Sequence, residues 1–96
     1  MPLYITLASY TQKGIEHVKD SPSRLKDFRE AVKAAGGDVK SFYLTMGSHD
    51  FVTVFEAPDD KTSARILLNL ASRGNVRTET MRAFTEDEYR QIISGL

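Results

Sequence analysis

The chain contains no cysteine. Disulfides, thiolate nucleophiles and thiolate metal sites are therefore excluded, and the composition fits a reducing compartment. Excess charge is missing too, because 13 Lys and Arg balance 13 Asp and Glu and the formal net charge is zero. Without a long-range field of either sign, nucleic acid and anionic membrane are not expected partners. Histidine is scarce: His17 and His49 are the two in the chain. Neither belongs to a His-x-x-x-His pair or a carboxylate-spaced cluster, so neither a metal site nor a cofactor is expected. Met1-Pro2-Leu3-Tyr4 runs straight into an apolar alternation, with no basic leader, long apolar run or small-residue cleavage site ahead of it. The expected location is cytoplasmic.

At 96 residues the chain suits one domain, residues 1–96, with an adequate rather than large core. Leu3, Ile5 and Leu7 alternate with Tyr4, Thr6 and Ala8, which is the two-residue period of a first strand, Leu3 to Tyr10. Thr11 to Lys19 reads as a short helical turn weakened by Gly14. Ser21-Pro22 then reads as a cap followed by the proline of a first helical turn. Leu25, Phe28, Val32 and Ala35 recur at helical spacing, and Gly36-Gly37 supplies the stop. Two runs rich in aromatic and β-branched residues follow, Asp38 to Met46 and Phe51 to Glu56, with Gly47-Ser48-His49-Asp50 as the turn of a hairpin. Pro58-Asp59-Asp60 opens a second helix. Ala64, Leu67, Leu68 and Ala71 mark one face of it, and Ile66 with Leu70 forms a second strip expected to pack under the last helix. Val76 to Ala83 is a fourth strand, and Thr85-Glu86-Asp87-Glu88 is a capping box that starts a terminal amphipathic helix.

This order predicts an α+β, ferredoxin-like βαββαβ domain with a C-terminal helix, its four-stranded antiparallel sheet in the spatial order 4-1-3-2. Two helices cover one face. The other face is expected to carry Tyr, Thr, Phe and Val side chains, and a second copy is its simplest cover. A homodimer or larger homo-oligomer follows, with two sheets face to face enclosing a cleft in the manner of a dimeric α/β-barrel. The last helix is expected to lie over a sheet edge or a partner.

Ser21-Pro22, Phe42-Tyr43-Leu44-Thr45-Met46-Gly47, Glu56-Ala57-Pro58-Asp59-Asp60 and Gly74-Asn75-Val76-Arg77-Thr78-Glu79-Thr80 together resemble the GYD-domain family of small bacterial proteins, over nearly the whole chain. The resemblance implies the ferredoxin-like fold and no settled activity. Gly47 and Asp50 match the family's signature turn. His49 stands where that turn has tyrosine, so no role of a phenol is carried over. A looser resemblance, to the ligand-binding domains of leucine-responsive bacterial regulators, rests on the Gly-x-x-Asp turn. With no helix-turn-helix ahead of the domain, it implies a stand-alone sensor or binding subunit.

The topology brings the C-terminal ends of the first two strands and the N-terminal ends of the last two to one end of the sheet. Tyr10, His49, Asp50, Arg77 and Thr78 gather there, with Thr6 and Tyr43 on the approach. His49 would serve as a base near neutral pH, Tyr10 or Tyr43 as a hydrogen-bond donor, and Arg77 as an anion clamp. Each has a plainer structural role. Asp50 would accept backbone N–H bonds within the turn, His49 would be solvated at its tip, and the charges of Arg77 to Arg82 would guard an edge strand. The leading expectation is a small-molecule-binding or assembly protein acting as a homo-oligomer, its ligand between sheet faces near Thr6, Tyr10, Tyr43, Asp50, Arg77 and Thr78. The alternative is a cofactor-independent monooxygenase or isomerase that uses His49 in an intersubunit cleft.

Overall fold

A computed structural model describes all residues, 1–96. The strands β1 (Leu3–Tyr10), β2 (Asp38–Leu44), β3 (Phe51–Glu56) and β4 (Val76–Ala83) form one antiparallel sheet in the order β2-β3-β1-β4. That is the expected 4-1-3-2 arrangement. The barrel expectation is overturned: the sheet is open, β2 and β4 are free edges, and no pairing closes it. Closure would need the two edges to pair with each other, and here they lie on opposite sides of the β3-β1 centre.

Helices α1 (Gln12–Glu16), α2 (Ser21–Ala34), α3 (Asp60–Ser72) and α4 (Glu86–Ser94) complete the chain, with a 3-10 turn at Val18–Asp20. Ser21 is not the cap of α2. The helix already includes it, Asp20 precedes it without a side-chain cap bond, and the Ser21 hydroxyl meets the Tyr10 hydroxyl instead, at 3.2 Å. Gly36, at φ 90°, ends the segment after α2 in a conformation that side chains rarely adopt. Strand β2 stops at Leu44, two residues short of the expected Met46. The α3 cap is Asp59, whose carboxylate accepts from the Thr62 backbone N–H at 2.8 Å. Hydrogen bonding by the Thr62 side chain, and after it by the Thr62 backbone, holds the Asp59 carboxyl below the usual carboxylate range. Thr85 and Glu88 form the reciprocal capping box at the start of α4.

The core sits between the sheet and the helices α2 and α3, where Tyr4, Val39 and Phe55 meet Phe28, Val32, Ile66 and Leu67. Phe55 is stacked on Tyr4 at 5.4 Å and meets the edge of Phe28 at 5.7 Å. Ile66 and Leu70 thus face the sheet core rather than α4, while Leu68 is 71% exposed. The expected distribution over the two sheet faces is reversed as well. Tyr4, Thr6, Ala8, Phe51, Thr53 and Phe55 lie in register on the helix side. The bare side carries Leu3, Ile5 and Leu7 with Val52 and Val54, flanked by Met81 and Tyr43. Volume decides the matter: three aromatic rings need the space beneath the helices, and the Tyr4 hydroxyl remains satisfied there by donating to Asp60 at 2.6 Å.

Helix α4 leaves the far end of the sheet and packs substantially on no other element. Tyr89, Ile92 and Ile93 on its apolar strip remain exposed. The chain is elongated as a result, 48 × 31 × 18 Å. No helix is long and apolar enough to cross a membrane.

Candidate functional site

The sheet end that the topology singles out is assembled around Asp50. Its backbone N–H donates to the Ala8 carbonyl at 2.8 Å, and its carboxylate accepts from the Tyr10 backbone N–H at 2.8 Å. The β1–β3 ladder runs to the Ala8–Phe51 pair, so the Asp50 side chain replaces the next backbone acceptor and ties the hairpin turn to the end of β1. The bond is structural, but it does not stay within the turn as expected from the sequence: the donor is the Tyr10 N–H of β1. Thr45 steadies the same turn by donating its hydroxyl to the His49 carbonyl at 2.8 Å.

From there the expected site residues divide. Thr6 and Tyr10 point to the helix side. Thr6 is buried, its hydroxyl 2.8 Å from that of Thr80, and the Tyr10 ring lies 5.8 Å from Phe51. Thr78 also faces the helices, in an open groove between α3 and β4 that Arg77 borders at the strand edge. Tyr43 lies on the bare face and is 62% exposed. His49 lines neither the groove nor the cavity described next. No three His, Asp or Glu side chains come together as a metal-binding group.

A deeper space, open at one end, lies beneath the helices. A cavity of about 60 Å³ opens between α2 and α3 over the centre of the sheet. Its interior is formed by Phe28, Phe42, Phe51, Thr53, Ile66 and Val76, with Thr6 and Tyr10 at the sheet. A single water needs roughly 10–15 Å³ by the same measure, so the space admits something larger.

Apart from Asn75, which the topology places at this end of the sheet, sequence pattern did not single out the rim, which consists of Arg24 and Asp27 on α2 and Asn69, Arg73 and Asn75 at the end of α3 and beyond. The one available signal was the spacing of Arg24, Asp27, Phe28 and Ala31, which sets charged and apolar residues on the same helical stripe. Helix α1 holds this rim in place. The Thr11 backbone N–H donates to the Asn75 carbonyl at 3.1 Å, the Thr11 hydroxyl donates to Gly74, and the Lys13 ammonium donates to the Arg73 carbonyl at 2.9 Å. Gly14 permits the contact, because a Cβ there would stand 1.9 Å from the Asn75 carbonyl oxygen. The glycine that weakened the helix in the sequence is thus required by packing.

The chain is similar to known proteins, to one in sequence and to others in fold. A Thermus thermophilus protein described as a glutamine synthetase and cystathionine beta-lyase binding protein is 42% identical over 84 residues, covering 86% of this chain and 88% of its own. Among solved structures, a feast or famine regulatory protein from M. tuberculosis complexed with L-methionine superposes with a TM-score of 0.67 at 18% identity, over 88% of this chain. The chain spans about half of that regulator, 51% of its length. A second T. thermophilus protein superposes with a TM-score of 0.56 at 22% identity, covering 88% of this chain and 95% of its own. These structural likenesses share the ferredoxin-like architecture. The GYD domain profile matches residues 4–93, and with the 42% identical relative this establishes that the chain belongs to the GYD domain family.

Proposed function

We propose that the chain is a homo-oligomeric binding protein of the cytoplasm, a dimer at least, that takes a small molecule and docks on a metabolic enzyme, with neither nucleic acid nor membrane among its partners. The observation that carries the reading is the bare sheet face. An eight-residue strand at about 3.3 Å per residue, in a four-stranded sheet spaced at about 4.8 Å, gives a face of roughly 500 Å². Its centre is aliphatic: Ile5, Leu7, Val52 and Val54. That face, apolar at its centre and polar at its margins, approaches together with the apolar strip of α4 the roughly 800 Å² per partner of a standard interface.

Charge favours a second copy as the cover. The net charge is zero, so two copies do not repel each other at long range. Arg77 and Glu79 alternate onto the bare side of β4, and neither has an ion-pair partner within the chain. A two-fold arrangement lets each meet its opposite on the other copy. The name of the Thermus relative supports the enzyme partner, and the methionine complex of the regulator supports the small molecule. The partner element is tested by sedimentation of the purified chain with glutamine synthetase and with cystathionine β-lyase from the same organism. Co-migration with either at micromolar concentration is the expected result. Independent migration from both removes the enzyme from the proposal.

A further inference from the structure

The cavity between α2 and α3 has an unusual division of chemistry. Its interior is almost entirely apolar and aromatic, and the hydroxyls that reach it are already engaged: Thr6 with Thr80, Thr53 with the Ser41 carbonyl at 3.0 Å, and Tyr10 with Ser21. An occupant of the interior therefore meets few groups that ask for a hydrogen bond, and an apolar body fits best.

The rim is the opposite. The Arg73 guanidinium has neither an ion pair nor a hydrogen bond within the chain, although its backbone is fixed through Lys13. Arg24 is held in place by donating to the His17 and Gly14 carbonyls, at 3.1 and 3.4 Å, and it keeps its charge unpaired by any carboxylate. Asp27 also lines the opening without an ion-pair partner. Two cations and one anion thus border the mouth of an apolar hole without an ion-pair partner.

We propose that this cavity binds a small monocarboxylate with an aliphatic or aromatic body, the body in the aromatic interior and the carboxylate held at the rim by Arg73 and Arg24. A guanidinium suits a carboxylate because its planar donors match two oxygens at once. Asp27 sets the charge limit, since a second carboxylate on the ligand would face it across the opening. The inference deepens the small-molecule part of the proposed function and is independent of oligomerisation, because every lining residue belongs to one chain.

Titration calorimetry with 3-phenylpropanoate, its neutral counterpart 3-phenylpropanol and the dicarboxylate benzylsuccinate tests the site. The monoacid should saturate at or below millimolar concentration and bind on the order of tenfold more tightly than the other two. Arg73→Ala should abolish the advantage of the acid over the alcohol while leaving the melting temperature unchanged, since no partner is lost. Ala31→Leu, which fills the cavity from α2, should abolish binding of both. A monomeric Val54→Asp variant, altered on the opposite face, should bind as the parent does, and that result separates the site from the assembly. No saturation by the acid, equal binding of acid and alcohol, or undiminished binding by folded Ala31→Leu would each overturn the proposal.

Discussion

The two faces of the sheet are built on opposite principles. The face covered by α2 and α3 carries Thr6, Thr53, Thr80, Tyr4 and Tyr10, with their hydroxyls engaged in hydrogen bonds. The uncovered face carries Ile5, Leu7, Val52 and Val54 and asks for no hydrogen bond at its centre. The uncovered face is aliphatic at its centre, whereas the covered face combines the packed aromatic core with hydroxyls beneath the helices. In a 96-residue chain with limited burial, covering an aliphatic sheet surface would add apolar burial at no cost in hydrogen bonds, which is why the proposed assembly is placed there.

The largest expected effect sharpens this contrast on the covered side. Phe55 is fully buried and touches both Tyr4 and Phe28, so Phe55→Ala should cost about 3–5 kcal/mol in urea denaturation. If Phe55→Ala costs no more than Ile5→Ala in a monomeric background, the covered face is not the core. Asp50→Ala should come next, at about 1.5–3 kcal/mol, because it strands the Tyr10 N–H and removes a charged acceptor from the strand end. Hydrogen exchange should report it locally, as faster exchange at Tyr10. Gly14→Ala should follow at about 1–3 kcal/mol, as the new methyl displaces α1 from Asn75. Lysine side-chain resonances would show Lys13 released from the α3 end.

A smaller effect comes from pH. Burial, and after it the hydrogen bond to Asp60, pushes the Tyr4 phenol up to about 12 from its model-compound value of 10.0. The folded state therefore favours the protonated phenol. Its contribution is complete below pH 10 and is lost as pH rises towards 12, because the unfolded chain ionises first. Ultraviolet titration should find one tyrosine ionising last, and Tyr4→Phe should remove both that step and the alkaline loss of stability.

Much of the fold was legible because it depends on local periods. The alternation in β1, the helical spacing of Phe28 and Val32, and the Thr85–Glu88 capping box each declare themselves within a few residues. The reading of Asp50 was local too, and it missed the partner, because the carboxylate accepts from the Tyr10 N–H of β1. The assignment of faces failed because both strips of β1 are compatible with burial. Local pattern cannot weigh ring volume against hydroxyl polarity, and in the structure a single distant partner, Asp60, removes the polar objection to burying Tyr4. The cavity was not legible at all. It exists because α2 and α3 diverge over the sheet, and its rim joins residues from Arg24 to Asn75 that no spacing rule connects.

The most direct test of the two-face account is sedimentation velocity of the parent chain beside Val54→Asp at micromolar concentration. Val54 lies between Ile5 and Ser41 at the centre of the bare face. The parent should migrate as a dimer or larger species, and Val54→Asp as a folded monomer with an unchanged circular dichroism spectrum. A parent chain that migrates as a stable monomer would contradict the account, as would a Val54→Asp variant that assembles as the parent does.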